Sequence, residues 1–77
     1  MSDETARADL RAELQEVEAD LAGLRRTARE LREQIGEDEA GDYEDRASAI
    51  QAADEQDVLI GQLEDRRTTL LRRLGQQ

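Results

Sequence analysis

Chemistry is most concentrated in one stretch of this 77-residue chain, GEDEAGDYED, residues 36 to 45. It holds the carboxylates Glu37, Asp38, Glu39, Asp42, Glu44 and Asp45 and no Lys, Arg or His to balance them. Clustered carboxylates attract hard cations such as Mg²⁺ or Ca²⁺, which take oxygen ligands only. The run does not have the spacing of an EF-hand, which needs oxygen ligands around a central Gly and a closing Glu. It is an incomplete metal site by itself and would need ligands from a partner. The chain has no Cys and no His, so a zinc site, a disulfide framework and the usual nucleophile and base pairs are not available to it. Thr27, Thr68, Thr69 and Tyr43 carry the remaining hydroxyls of interest, and they read as solvated surface. The arginine pairs at 25–26, 66–67 and 72–73 would suit a phosphate, but acids expected to face them favour pairing within the chain.

The elements that must present these carboxylates follow from composition and periodicity. With 36% hydrophobic, 1% aromatic and 40% charged residues and no Pro, the chain cannot build a thick globular core. It has the make-up of long helices or a coiled coil. Leu10, Leu14, Val17, Leu21, Leu24, Ala28, Leu31 and Ile35 recur in alternating steps of four and three, an unbroken heptad seam. Asp3 and Glu4 sit where a helix N-terminus favours negative charge, and Gly36 stands where a left-handed cap is expected. Helix one is therefore placed at about residues 4 to 35. A less regular apolar pattern, Ile50, Ala53, Ile60, Leu63, Leu70 and Leu74, places helix two at about 43 to 74, with Asp42 as its N-cap and Asp45 in the acidic position three residues on. Residues 36 to 42 are left as an acidic tip.

Folding the chain back on itself brings the two seams into register. The facing layers are Leu10/Leu74, Leu14/Leu70, Val17/Arg67, Leu21/Leu63, Leu24/Ile60, Ala28/Gln56, Leu31/Ala53 and Ile35/Ala49. Arg67 and Gln56 interrupt the seam on one side, with stems long enough to lie along it. Glu13, Glu16, Glu18 and Asp20 would lie near Arg66, Arg67, Arg72 and Arg73, and Arg25, Arg26 and Arg29 near Asp54, Glu55 and Asp57. The fold class expected is all-α: residues 1–77 form a single two-helix antiparallel coiled-coil hairpin, a rod roughly 40 Å long at about 1.5 Å per residue. A register one heptad away would also align many apolar residues.

Two readings of the tip stand side by side. Acids in a solvated turn are common, and Asp42 and Asp45 suit an N-cap and a first helical turn. Against this, Glu37, Asp38 and Glu39 follow the C-terminal end of helix one, where the helix dipole disfavours negative charge, so stability does not account for all of them.

The run GDYEDRASAIQAADEQDVLIGQLED resembles the turn and second helix of the N-terminal coiled-coil domain of Gre transcript-cleavage factors. The residues that carry the likeness are Gly41, Asp42, Asp45, Ala47, Asp54, Glu55, Gln56, Leu59, Gly61 and Leu63. Asp42, Asp45 and Ala47 are also similar to the D-x-x-D-x-A tip of the related DksA/TraR factors. The resemblance implies a hairpin that enters the secondary channel of bacterial RNA polymerase and brings its tip acids near the catalytic Mg²⁺. It implies Asp42 and Asp45 as ligands to a metal shared with the polymerase, with Glu44 as an additional acid. It implies a partner-binding tip of Gly41, Asp42, Tyr43, Glu44, Asp45 and Ala47, where Tyr43 stands in place of the family's usual aliphatic residue. The C-terminal globular domain of Gre factors and the zinc module of most DksA relatives have no counterpart here, so channel binding is expected more firmly than stimulated RNA cleavage.

The expected function is that of a transcription regulator, not an enzyme, with RNA polymerase core as partner. No cofactor is expected for the chain alone, only Mg²⁺ shared with the polymerase. The net charge of −9 disfavours direct contact with nucleic acid or an anionic membrane. With neither a long apolar run nor the basic start of a signal peptide, the expected location is cytoplasmic. The alternative is a structural coiled-coil assembly module, a homo-oligomer joined through off-seam residues Val58, Leu59 and Leu71, its acidic turn serving solubility.

Overall fold

The computed structural model describes residues 3–37 and 43–75. They form two helices, α1 (Asp3–Glu37) and α2 (Tyr43–Gly75), packed against one another. Arg7 lies beside the end of α2 and Arg32 beside Asp57, so the helices run antiparallel. The chain is an all-α helical hairpin, as the two heptad patterns require.

The boundaries differ from the sequence expectation at the α1 end of the tip, whereas α2 begins at Tyr43 as expected. Helix α1 runs through Gly36 to Glu37, and Gly36 has no positive φ. The left-handed cap expected at Gly36 is thus absent: glycine there takes the right-handed conformation, which it adopts as readily as the left. The expected tip of residues 36–42 loses its first two residues to the helix, and residues 38–42 lie outside the described ones. The molecule is 61 Å long and 14 Å across, longer than the rod of roughly 40 Å foreseen. The helices are continuous over 35 and 33 residues, where that expectation counted only the seam.

The core is a single line of apolar contact. Val17, Leu21 and Leu70 are buried, with Leu10, Leu14, Ile60 and Leu63 packed against them. Burying a leucine such as Leu21 or Leu70 contributes about 1.5–3 kcal/mol. Further toward the connection the fully covered positions are Ala28 and Ala53, which bring the backbones together and remove far less apolar surface. Gln56, in the same stretch, has its Oε1 buried without a hydrogen-bond partner, and an unmet acceptor of this kind costs about 1–3 kcal/mol.

Charge flanks the seam in an order that reports the register. Glu13 and Arg66, each directly before a seam residue, form an ion pair. Arg25 pairs with Glu64 at 2.8 Å, and Arg32 pairs with Asp57, all directly after seam residues. This is the flanking pattern of the layers from Leu10/Leu74 to Ile35/Ala49. A slip of one heptad would separate each pair by about 10 Å along the axis. The arginines therefore meet acids as expected for Arg66 and Arg67, whereas Arg25 finds Glu64 in place of the more distal acids. At the far end Arg7 Nη1 donates to the Leu74 carbonyl at 3.0 Å, satisfying one of the C-terminal carbonyls that an α-helix leaves without a partner.

Candidate functional site

The first turn of α2 carries Tyr43, Glu44, Asp45 and Arg46. Asp45 is exposed and lines a shallow groove with Gln34, Ile35, Arg46 and Ala49. Ala47 is exposed on the same turn. Gly41 and Asp42 lie outside the described residues, as do the side chains of Tyr43 and Glu44. Of the expected metal ligands Asp42, Asp45 and Glu44, only the Asp45 side chain has a described position.

The electrostatics here differ between the two helix ends. At the start of α2, Glu44 and Asp45 sit where the exposed N–H groups and the helix dipole favour a negative charge. The last turn of α1 holds no basic residue and ends on Glu37, a placement the dipole disfavours by about 0.3–1 kcal/mol. Among the described residues, Arg32 and Asp57 form the ion pair closest to this end. The hydrogen bond and the adjacent charge of Asp57 hold the Arg32 guanidinium above the ordinary arginine pKa. Between Glu33 and Ala49 the sequence offers Arg46 as its one basic residue. By sequence the segment from Glu33 to Ala49 is therefore strongly negative, with Arg46 alone to offset its acids.

Among the described residues no group of three carboxylates is close enough to hold a metal ion. Asp45 can supply one carboxylate, whereas Mg²⁺ demands an octahedral set of oxygens and Ca²⁺ six to eight. What Asp45 can do is offer an accessible oxygen ligand to a cation held mainly by another molecule.

The other groups with chemical interest are engaged in the fold. Thr27 Oγ1 donates to the Gly23 carbonyl at 3.0 Å, Thr68 to Glu64 at 3.0 Å and Thr69 to Asp65 at 3.1 Å. These are hydroxyls bonded back to their own helix. Arg25, Arg66 and Arg67 are paired with Glu64, Glu13 and Glu18, which neutralises one member or more of two arginine pairs. Sequence reading missed the Arg32–Asp57 pair because it grouped charges by their level along the rod, giving Asp57 to Arg25, Arg26 and Arg29, whereas both partners directly follow seam residues, Leu31 and Gln56, on one flank. It missed the Arg7 cap because a side chain bonding to a main-chain carbonyl leaves no mark in the pattern of residue types.

No helix among the described residues is long and apolar enough to cross a membrane. Comparison with protein families, with characterised proteins and with solved structures finds no match.

Proposed function

We propose that the chain is a regulator of transcription that inserts its acidic end into the secondary channel of bacterial RNA polymerase. The observation that carries this reading is the exposed Asp45, in the first turn of α2 and at the connected end of a rod only 14 Å across. It stands within the sequence GDYEDRA that resembles the tips of secondary-channel factors. A slender hairpin is the shape such a channel admits, and an unbalanced carboxylate end is drawn to a bound cation. Asp45, with Asp42 and Glu44 by correspondence, would then add ligands to a Mg²⁺ that the polymerase already holds.

The test is binding to RNA polymerase core in competition with a Gre factor, together with a transcription assay of the variant Asp42→Asn/Asp45→Asn. Competition for the same site and loss of the transcription effect, with helical content intact, are the expected results. An unchanged effect in the double variant would sink the role given to the tip, and no binding at micromolar concentration would sink the channel.

The exposed Ile50, Val58, Leu59 and Leu71 favour a second reading, an assembly module. Their placement limits it. Ile50 and Leu71 directly follow seam positions Ala49 and Leu70, Leu59 directly precedes Ile60, and Val58 lies further out. Following and preceding positions fall on opposite flanks of the hairpin, so these side chains do not merge into one apolar patch. A solution mass decides it: a tight oligomer supports assembly, a monomer the channel reading.

A further inference from the structure

We infer that Gln56 and Arg67, the two polar residues of the α2 seam, select the register of the hairpin and thereby decide which carboxylates stand at its connected end. The apolar residues alone leave the choice open. Sliding one helix by a heptad in one direction sets Leu21 against Leu70 and Leu31 against Ile60; in the other it sets Leu14 against Leu63 and Val17 against Ile60. Either slip preserves leucine-rich layers.

The polar residues break the tie in the same sense. In the observed register Gln56 faces Ala28, the smallest residue of the α1 seam and 1% exposed. Even there the Gln56 Oε1 is buried with no partner. Either slip would drive that amide against Leu21 or Ile35, which leave it less room and still no donor. Arg67 faces Val17, and its Nε donates to Glu18, the next residue, at 3.1 Å. A slip would place Arg67 opposite Leu24 or Leu10, and the residue that follows is then Arg25 or Arg11. Attraction is replaced by like-charge repulsion in both directions. A polar seam residue that lowers stability while fixing register is a known use of such positions in coiled coils.

Register matters at the connected end because a heptad slip moves the midpoint of the chain reversal by half a heptad. One slip requires a turn within the first turn of α2, unwinding the backbone that holds Glu44 and Asp45; the other moves its centre to residues 38–39, directly after the end of α1. Gln56 and Arg67 are thus positioning residues for the tip. The consequence for transcription rests on the channel reading above, whereas the register itself does not.

The absence of cysteine from the chain permits a direct test. Cysteine pairs replacing Leu21 and Leu63, Leu21 and Leu70, or Leu14 and Leu63 report the observed register and the two slips. Facing seam residues approach bridging distance, and residues a heptad out of step do not. In the parent chain only the first pair should oxidise rapidly within one molecule. With Gln56→Leu/Arg67→Leu added, a slipped pair should oxidise several-fold faster than in the parent. Glu18→Arg, which leaves the seam untouched and removes the acceptor of Arg67, should do the same to a smaller degree. If both slipped pairs remain at their parent rates in both backgrounds, with helical content retained, the inference is overturned. The readout needs no polymerase, so its failure is distinct from failure of the channel reading. A variant that slips yet keeps its full effect on transcription would break the link to the tip while leaving the register assignment standing.

Discussion

From the open end of the hairpin to the level where Gly23 and Gly61 stand, the buried seam residues are Val17, Leu21 and Leu70; from there to the connection they are Ala28 and Ala53. On the open side lie the buried Leu21 and Leu70, their neighbours Leu10, Leu14 and Leu63, the ion pairs of Glu13 and Glu18 and the Arg7 cap, with the Arg25–Glu64 pair at the boundary. On the connected side lie the buried Ala28 and Ala53, the unpartnered Gln56 oxygen, one ion pair and a helix end without a cation. Stability and exposed charge are therefore built at opposite ends. A rod that must be held together while presenting unbalanced carboxylates cannot place both features in the same turn, because the carboxylates repel one another and the dipole of α1.

The largest effect should come from the leucine side. Leu70→Ala removes a side chain with 0% exposure and should cost about 2–5 kcal/mol, as large-to-small changes in a packed core do. Leu31→Ala, on the connected side and half-buried, should cost clearly less. Urea unfolding followed by helical circular dichroism measures both. Equal losses would show that the two sides are not energetically distinct.

Gln56→Leu should act in the opposite sense. It replaces a buried acceptor that has no partner with an apolar group of similar volume, and should raise stability by about 1–3 kcal/mol. This gain would come with the looser register argued above, which makes it a test of whether specificity and stability are separate properties of the seam. A loss of stability would mean that the amide makes a favourable contact in solution and that the connected side is better packed than its residues indicate.

The two sides also differ in how far they could be read from sequence. The α1 seam was legible because its apolar residues keep an unbroken heptad from Leu10 to Ile35, and the pairing with Leu70, Leu63 and Ile60 followed from it. The end of α1 was not. Gly36 looks like a terminator, but glycine also tolerates right-handed helix, and nothing local in the sequence separates the two. The individual ion partners were illegible for a different reason: Arg25 has Asp54, Glu55, Asp57 and Glu64 within one or two turns of the facing position, and it is the shared flank, directly after seam residues Leu24 and Leu63, that chooses Glu64. Asp45 was identified as a first-turn acid of α2 and is one, while Asp42 lies outside the described residues.

Gly23 and Gly61 stand at the boundary between the two sides, and neither has a packing reason to be glycine. A Cβ at each would meet nothing within 4 Å. Gly61→Ala should therefore stabilise the hairpin by about 1 kcal/mol through helix propensity alone. The same substitution at Gly23 should match it, measured as a shift in the thermal midpoint. A destabilisation at either position would reveal a close approach that the isolated hairpin does not show.

Asp45→Asn should have the smallest effect on folding and separates the two ends most cleanly. The carboxylate lies in the first turn of α2, where its interaction with the dipole is worth about 0.3–1 kcal/mol, and no ion pair holds its side chain among the described contacts. Loss of this charge should lower the thermal midpoint only slightly and leave helical content unchanged. If the carboxylate serves a cation held by the polymerase, the same variant should lose most of its effect on transcription, a functional change far larger than the structural one. A large fall in stability would instead make Asp45 a helix-holding residue, and its exposure at the connected end would then have a structural cause.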